Sequence, residues 1–453
     1  MTRTILLASI AALTLEPPNT GQSRLSPATG LSAAPVLYWS HEARRAIVPP
    51  GPGGLFGQEN YGNKFPGEAA VYMGLVHSAM HDVGLALTEA GAGTDAKSAI
   101  ATGVHHTLAG LQPALGLSAT QQAILDAQYE TYMAGIAEGT AKSSGIALGA
   151  RVASAFLATR RNDGREANPV LSDPQPPRPG PGVWEPGSAP ALGLRLVHVR
   201  PLALENPAQF RPNGPPSLTS PDYAADFQEV AQVGSVASAT RTTDQTSAAL
   251  FWTDHDLRQW NDGLLRLAVA RQLDLLQASR MLAMAHVTGG DAMIACFDAK
   301  YAYWFWRPHQ AIPRAATDGN SATAPDPSWK ALGSTPNFPE FPSAHTCHSA
   351  AIVEALSSFF GHDQLAFSLD SRVTGTTRTY ERFRDIVDEV ESARVLVGFH
   401  FRHSDREGTK LGRQVARYIL ARRFKGGNGV DVPVRKGTSP RGVRRRARRS
   451  EHR

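Results

Sequence analysis

Apolar residues recur every three to four positions along most of the chain, which is the spacing of a helix face, and few segments alternate as strands do. The clearest stripe lies in residues 67–88, where Ala70, Met73, His77 and His81 share one side. The same spacing predicts further helices at 118–136, 143–160, from Tyr223 onward, 243–299 with a break at Gly289 and Gly290, 343–360, 380–401 and 408–424. We therefore predict an all-α fold of roughly ten helices.

Proline- and glycine-rich stretches at 169–190 and 201–221 interrupt this pattern and predict a long extended connection over the surface. We expect one helical domain over residues 31–424, built as two helical-bundle halves, 31–165 and 222–424, around a connection at 166–221. Residues 425–453 hold ten Lys or Arg residues against two acidic ones and predict a basic, disordered tail. This tail accounts for the formal charge of +6 and leaves the body nearly neutral.

Composition narrows the class of protein. A chain of 453 residues that is 42% hydrophobic can bury a proper core, which excludes disordered, collagen-like and repeat proteins. Because the positive charge is confined to the tail, we expect no nucleic-acid partner. Two cysteines, Cys296 and Cys347, allow at most one disulfide and exclude a cysteine-rich zinc site. No apolar run reaches the ~18 residues of a membrane span, so we expect a soluble protein.

The first 30 residues are predicted to form a leader and linker. Arg3 precedes the mostly apolar run 4–15, which Glu16 and two prolines end, as in a secretory leader. No A-x-A cleavage site follows. We expect a secreted or periplasmic protein, with a cytoplasmic protein that begins with an ordinary helix as the alternative.

Three short segments concentrate residues that suit anion chemistry. In the first, Lys300 and Arg307 enclose five aromatic residues, and Pro308 follows. Seven residues make about two helical turns, so the two cations are expected on one face of a helix, where they could reach the same anion. Pro308 is expected to end this helix. The alternative is an aromatic core helix whose Lys and Arg side chains extend to solvent.

The second segment predicts a helix start. Ser343 is placed as the N-cap after Pro342, so the backbone N–H groups of Ala344 and His345 and the positive end of the helix dipole would form a cradle for an oxyanion. Among cations, His345 would hold its proton weakly until an anion arrives, which suits an acid–base catalyst. The alternative is an ordinary capped helix in which His345 and His348 pack together.

The third segment contains Arg394 and His400, six residues apart, with the small Gly398 between them. Gly398 would permit close approach of a neighbouring element or a bulky anion. His400 could be a metal ligand or a nucleophile. The alternative is a surface arginine beside a core histidine.

Taken in order, these segments resemble the K-x6-R-P, P-S-G-H and S-R-x5-H-x3-D pattern of the vanadium-dependent haloperoxidase and acid phosphatase superfamily, and more closely its soluble chloroperoxidase-like branch. The resemblance covers residues 300–405. It implies an all-α fold of two four-helix bundles, with vanadate as the cofactor. In that family His400 matches the residue that ligates the metal or attacks phosphorus, and His345 matches the acid–base residue. The residues that would bind the oxygens of vanadate or phosphate are Lys300, Arg307, Ser343, Ala344 and Arg394.

Three positions depart from the pattern: Ala344 stands for glycine, Ala393 for serine, and Ser404 for aspartate, with Asp405 one residue later. We expect Ala344 to preserve the N–H group and Ala393 to change only packing. In the phosphatases the aspartate orients the nucleophilic histidine. Its displacement is therefore expected to weaken phosphatase chemistry more than vanadate chemistry.

The resemblance implies oxidation of bromide or chloride by hydrogen peroxide to hypohalous acid, followed by transfer to an organic acceptor. Lys300 would polarise the peroxide, His345 would take its proton, and Phe297 and Phe338 would line the halide approach. Asp254 is expected to pair with Arg394. No membrane span is expected, and the oligomeric state stays open, with a homodimer among the alternatives.

Three other functions stay open. A soluble acid phosphatase would use His400 as nucleophile and His345 as general acid. A non-catalytic protein could retain the same oxoanion site. Alternatively, His77 and His81, four residues apart beside Asp82, could hold a divalent metal, although two core histidines explain the same stripe.

Overall fold

The computed structural model describes residues 30–168 and 174–424, so the predicted leader before residue 30 and the predicted basic tail from residue 425 lie outside the described residues. Within these ranges the chain forms thirteen α-helices and one β-hairpin, which confirms the all-α class. The helices are α1 (Ala34–Ile47), α2 (Pro66–Ala90), α3 (Ala96–Leu115), α4 (Ala119–Ala134), α5 (Thr140–Thr159), α6 (Pro221–Val233), α7 (Thr243–Phe251), α8 (Asp256–Ala270), α9 (Leu275–Tyr303), α10 (Pro308–Ala311), α11 (Ala344–Phe360), α12 (Phe383–Leu396) and α13 (Arg402–Arg423).

Helix α9 is the central element. It begins at Asp274, whose carboxylate accepts the N–H of Gln277 in a capping box, and runs for 29 residues that are buried almost throughout. Helix α2 packs along it, as do α11 and α13. A helix that is apolar on all sides is expected in such a position, because every face meets a neighbour.

The predicted helix break at Gly289 and Gly290 is wrong, because α9 continues through both residues. A Cβ on Gly289 would lie 2.8 Å from the ring of His348, and one on Gly290 would lie 3.1 Å from the carbonyl oxygen of Ala70. The glycines thus permit close packing of α11 and α2 against α9, which outweighs their low helix propensity. The real interruptions lie at residues 252–255 and 271–274.

The two halves of the chain share one hydrophobic core, which contains buried residues from α1 to α5, from α7 to α9 and from α11 to α13. The connection between them also enters this core, since Trp184, Leu194 and Leu196 are buried. It includes two 3-10 turns, Leu194–His198 and Pro207–Phe210. The connection therefore packs into the protein instead of lying only on its surface.

A buried carboxylate attaches the connection to the central helix. Asp291 of α9 accepts the backbone N–H of Leu202 at 2.6 Å and those of Ala203 and Leu204 at 2.8 Å. Three backbone donors satisfy a carboxylate that would otherwise be costly to bury.

The hairpin is an element that the sequence pattern did not predict. Strands β1 (Phe367–Ser371) and β2 (Thr376–Tyr380) pair antiparallel, with Phe367 opposite Tyr380, and β1 packs on α8. Alternation over only five residues gives a weak signal. The predicted helix at 380–401 is accordingly shorter, at Phe383–Leu396, and α13 starts earlier than predicted.

Candidate active site

The three predicted segments meet inside the second half of the chain. Lys300 lies in the last turns of α9, Ser343 precedes α11, and His400 lies between α12 and α13. The side chains of Lys300, Arg307, Ser343, Arg394 and His400 are all buried, and none is more than 2% exposed. Burial of three cations together is unusual and requires compensation by acceptors or by a bound anion.

Lys300 is fixed by the loop that precedes α11. Its Nζ donates to the carbonyl oxygens of Pro339 at 3.0 Å, Glu340 at 2.8 Å and Pro342 at 2.5 Å. Burial lowers its pKa to about 8, and the charge of Arg307 acts in the same direction. Because these three bonds use all three ammonium protons, Lys300 acts on a neighbouring anion through its charge and through the loop that it holds.

Arg307 reaches the same place by a route that helical spacing does not describe. Helix α9 ends at Tyr303, Trp304 adopts φ 50°, and Arg307 is the N-cap of α10, so Pro308 begins a helix instead of ending one. Even so, the Lys300 Nζ and the Arg307 guanidinium lie 5.1 and 4.7 Å from the ring centroid of Phe338. The two cations therefore both lie beside one aromatic ring.

The guanidinium of Arg307 is only partly used by the protein. Its Nε donates to the Phe338 carbonyl at 2.8 Å and its Nη1 to the Phe399 carbonyl at 3.0 Å. Nη2 is buried and has no hydrogen-bond partner among the described residues. Burial lowers the pKa of Arg307 to about 9, and Arg394 adds to this.

The start of α11 presents donors into the site. Ser343 is the N-cap residue, but its buried hydroxyl does not cap the helix and makes no well-formed hydrogen bond in the described part of the chain, although it lies close enough to Asp405 to act on that carboxyl group as a donor. Its backbone N–H donates to the Ser404 carbonyl at 3.0 Å. Ala344 and His345 follow in the first turn, where N–H groups have no acceptor within the helix.

His345 lies in the first turn of α11 with a buried Nε2 that bonds nothing in residues 30–168 or 174–424. Burial and the nearby charge of Arg394 lower its pKa to about 3, although Asp256 opposes this. Its neighbour His348 has a different partner: Nδ1 of His348 lies 3.0 Å from the Asp256 carboxylate. His345 is thus a neutral imidazole beside a buried His–Asp pair.

Arg394 donates from Nη1 to the Trp252 carbonyl at 2.5 Å, while its Nε has no partner within the described ranges. Burial lowers its pKa to about 10, and Asp405 and Asp256 oppose the effect. The predicted pairing with Asp254 is wrong. Asp254 instead accepts from Arg258 at 2.5 Å, four residues along the start of α8, where the two side chains are neighbours.

Gly398 permits the turn that carries His400 into the site. It adopts φ +80°, and a Cβ there would lie 2.5 Å from the Gly234 carbonyl oxygen. Any other residue would be strained and would clash with that backbone. The neighbouring element that was expected to approach Gly398 is therefore the end of α6.

His400 is oriented by Glu340, a residue that sequence reasoning missed. Nδ1 of His400 lies 2.8 Å from Glu340 Oε1, which also accepts the Phe401 N–H at 3.0 Å. Oε2 of Glu340 accepts the Ser404 hydroxyl at 2.6 Å. Because the carboxylate accepts from every partner, Nδ1 of His400 carries the hydrogen and Nε2 presents its lone pair toward Arg307, 3.5 Å away.

Glu340 therefore takes the place of the displaced aspartate. Ser404, which stands at the aspartate position of the family pattern, holds Glu340 instead of bonding His400 directly. Burial raises the pKa of Glu340 to about 7, against the Ser404 hydrogen bond and the charge of Lys300. The signal in the sequence was a lone acidic residue within the apolar run 338–344.

Asp405 is a second residue that sequence reasoning did not place in the site. It is buried, and neither carboxyl oxygen has a hydrogen-bond partner in the described structure. Burial raises its pKa well above the usual value, although Arg402, the Ser343 hydroxyl and Arg394 act against this.

Several buried polar atoms of the site thus lack partners among the described residues, and we call them the open polar atoms. They are Arg307 Nη2, Ser343 Oγ, His345 Nε2, Arg394 Nε and both carboxyl oxygens of Asp405. Native proteins leave few buried polar groups unpaired, so such a cluster indicates space for a ligand. The donors among them are Arg307 Nη2, Arg394 Nε and Ser343 Oγ, and two of these belong to cations, which suits an oxoanion such as vanadate or phosphate.

Comparison with known proteins agrees with this geometry. Residues 280–426 match the family model described as the VCPO second helical-bundle domain, a range that holds every predicted site residue. This part of the chain is therefore similar to the second helical bundle of the vanadium haloperoxidases. A search of curated proteins found no match.

Solved structures extend the likeness to vanadium haloperoxidases beyond the second bundle. A bacterial vanadium-dependent iodoperoxidase is 19% identical, with a TM-score of 0.68 over 88% of this chain and 98% of that one. Apo and holo bacterial vanadium-dependent chloroperoxidases are 14% and 15% identical, with TM-scores of 0.60 and 0.59. These comparisons cover 80% and 83% of this chain, and 95% and 94% of the chloroperoxidase chains. They establish the fold.

An aromatic wall borders the site of this haloperoxidase-like fold. The rings of Phe297 and Phe338 lie 5.1 Å apart, and Phe65 packs edge-on against Phe297 at 5.5 Å. The Lys300 ammonium and the Arg307 guanidinium both lie near the Phe338 ring. The wall lowers the local dielectric and strengthens attraction between these cations and an anion.

The histidines of α2 lie outside the site and have partners of their own. His77 Nδ1 lies 2.9 Å from the Met73 carbonyl and Nε2 lies 2.9 Å from the Ser40 hydroxyl, while His81 Nδ1 lies 3.2 Å from the Ser279 hydroxyl. No group of three or more His, Cys, Asp or Glu residues in the described chain is arranged to hold a metal ion. These bonds favour core histidines over the divalent-metal alternative.

Two further expectations can be compared with the described structure. Cys296 and Cys347 are buried free thiols. No helix within the described ranges has the length and hydropathy to cross a bilayer.

Proposed function

We propose that this chain is a vanadate-dependent haloperoxidase that uses hydrogen peroxide to oxidise bromide or chloride to hypohalous acid, which then halogenates an organic acceptor. The observation that carries the proposal is the cluster of open polar atoms beside three buried cations, next to His400, whose Nε2 presents its lone pair toward Arg307. The match of residues 280–426 to the family model and the likeness to vanadium haloperoxidase structures support this proposal.

The residues present suit vanadate chemically. Arg307 Nη2, Arg394 Nε, the Ser343 hydroxyl and the Ala344 N–H would donate to its oxygens, and Lys300 would add positive charge. His400 would supply Nε2 as the ligand to the metal, because Glu340 holds the hydrogen on Nδ1. When bound, vanadate would supply a Lewis acid that activates peroxide.

His345 is the base in this proposal. Its low pKa keeps the imidazole neutral, so Nε2 can accept the proton of hydrogen peroxide near neutral pH. The resulting imidazolium would be stabilised by the negative charge of the bound oxoanion and by Asp256. Phe297 and Phe338 would partly desolvate the halide on its approach and raise its nucleophilicity.

A soluble acid phosphatase is the second candidate, and the contact between Glu340 and His400 favours it. A carboxylate on the other nitrogen orients a nucleophilic histidine. The aspartate of the family pattern is displaced in this chain, but Glu340 supplies a carboxylate at Nδ1 of His400. His345 would then have to arrive protonated to act as general acid, which its low pKa disfavours at neutral pH.

Two assays, run together, decide between these candidates. Bromination of a phenolic dye should require vanadate, bromide and peroxide, and p-nitrophenyl phosphate should be hydrolysed slowly or not at all. Rapid phosphate release without halogenation would favour the phosphatase, and neither activity would favour a non-catalytic oxoanion-binding protein. His400→Ala should abolish vanadate binding, whereas the control His309→Ala, at an exposed histidine outside the site, should preserve it.

We also propose export of the protein to the cell exterior or periplasm, on the basis of the apolar segment 4–15. Sequencing of the amino terminus of the mature protein tests this. A mature chain that keeps residues 1–15 would favour the cytoplasmic alternative.

A further inference from the structure

Asp405 is a buried carboxyl group whose two oxygens both lack hydrogen-bond partners among the described residues. It lies in the first turn of α13, which packs against the start of α11. Buried carboxylates are normally paired or bonded by several donors, as Asp291 is in this chain. The neighbours of Asp405 must therefore explain how it is tolerated.

Groups from each surrounding element act on Asp405 electrostatically. Arg394 of α12, Arg307 before α10 and Arg402 on its own helix favour the carboxylate, whereas Glu340 disfavours it. The Ser343 hydroxyl, before the start of α11, also favours the carboxylate as a nearby donor, although the two groups make no well-formed hydrogen bond. Burial outweighs the favourable charges and raises the pKa of Asp405 well above its usual value.

The arginines do not pair with Asp405, although pairing would satisfy both sides. Arg402 pairs with Glu229 at 2.6 Å. Arg394 keeps its Nε free, and Arg307 keeps its Nη2 free, even though each senses the charge of Asp405. The free donors of Arg307 and Arg394 and the oxygens of Asp405 are buried polar groups that a ligand bound among them would satisfy.

An oxoanion between these groups imposes a condition on Asp405. The oxygens of the oxoanion would accept hydrogen bonds from the arginines and from Ser343. An ionised Asp405 carboxylate, by contrast, would repel the oxoanion. A carboxylic acid instead donates its O–H to the anion. One proton must therefore lie between Asp405 and the bound oxoanion.

We propose that Asp405 contacts the bound oxoanion as a neutral carboxylic acid, so that the site binds its anion together with a proton held by this side chain. This proposal rests on the proposed oxoanion site. It adds to it a contacting residue that lies one position beyond the aspartate of the family pattern.

Binding of sulfate tests the proposal, because sulfate stays a dianion across the neutral range and brings no proton of its own. Titration calorimetry from pH 6 to 9 would compare wild type with Asp405→Asn, a neutral isostere that keeps an N–H donor. We expect equal sulfate affinity at the acidic end. Toward alkaline pH the affinity of wild type should fall relative to the Asn variant, by about tenfold per pH unit once Asp405 ionises.

Two further variants sharpen this comparison. Asp405→Ala should lose at least about tenfold in sulfate affinity, because a hydrogen bond to a charged group is removed. Asp318→Asn, at a buried aspartate bonded to Thr323 outside the site, should bind sulfate as wild type does. Lys300, whose pKa is about 8, loses its charge within this pH range. This loss affects wild type and Asp405→Asn alike, so it cancels in the ratio of their sulfate affinities.

Infrared spectroscopy of wild type keeps the test independent of how the variants fold. At pH 8, above the pKa of Glu340 at about 7, we expect a carboxylic-acid C=O band that shifts when sulfate is added. Absence of that band, or equal sulfate affinity of wild type, Asp405→Asn and Asp405→Ala at every pH, would overturn the proposal. So would tighter binding by Asp405→Asn at every pH. A wild type that binds no sulfate would overturn the oxoanion site itself, and with it the proposed function.

Discussion

The Glu340 carboxylate accepts a hydrogen bond from Nδ1 of His400 over 2.8 Å, although the two residues are 60 positions apart in the chain. The same carboxylate accepts from the Phe401 N–H and the Ser404 hydroxyl. The tautomer of His400 therefore depends on the loop before α11, and this loop is in turn held by Lys300.

Removal of the Glu340 carboxylate should weaken vanadate binding. Glu340→Gln keeps one acceptor oxygen but loses the negative charge and the oxygen that accepts from Ser404, and we expect vanadate affinity to fall about 10–100-fold, as for other outer partners of a metal ligand. Equilibrium dialysis with vanadate measures this. Glu389→Gln is the control, because Glu389 also accepts from several side chains but lies outside the site. Unchanged affinity of the Glu340 variant would remove Glu340 from the orientation of His400.

Restoring the family's aspartate should harm this chain. Ser404→Asp would place a second carboxylate at the position that now donates to Glu340 over 2.6 Å, in a fully buried setting. We expect a loss of about 3 kcal/mol in the free energy of unfolding, from an unpaired buried charge. Urea unfolding measures it, with Ser404→Ala as the milder comparison. A stable variant with increased phosphatase activity would contradict the role assigned to Glu340.

Ser343→Ala should separate binding from stability. The Ser343 hydroxyl has no partner among the described residues, so its removal should leave thermal unfolding nearly unchanged. Vanadate affinity should fall about tenfold through one lost hydrogen bond to a charged ligand. Ser40→Ala should show the opposite pattern, because that hydroxyl bonds Asn261 and His77 in the core. Destabilisation of Ser343→Ala with unchanged affinity would show that the hydroxyl serves the fold.

Acid should destabilise the anion-free protein through its buried histidines. The pKa of His345 is lowered from 6.5 to about 3, so between these values the unfolded chain binds more protons than the folded one. Stability therefore rises with pH across this window and is lost as pH falls through it. Added phosphate should flatten the slope by favouring protonated His345. Calorimetry at pH 4 to 7 would test this, and a slope that stays unchanged in His345→Gln would exclude His345 as a contributor.

Local patterns in the sequence were sufficient to predict the helical class and the segments that form the site. They failed where tertiary packing decides the outcome. Lys300 and Arg307 both lie beside Phe338, but they do not share a helix face as predicted, because α9 ends at Tyr303 and Trp304 turns the chain. Gly289 and Gly290 serve helix packing instead of a break. Glu340 and Asp405 could not be assigned, because a carboxylate's role follows from its burial and its neighbours, which helical spacing does not report.

The attachment of the connection to α9 through Asp291 has a consequence for the integrity of the chain. Residues 202–204 are bonded to the middle of α9, and both halves of the chain contribute to one core. The peptide bonds upstream of residue 202 are therefore not needed to hold the two halves together. We expect a protein nicked near residue 180 to remain associated as two fragments. The same position would serve as new termini for a circularly permuted chain.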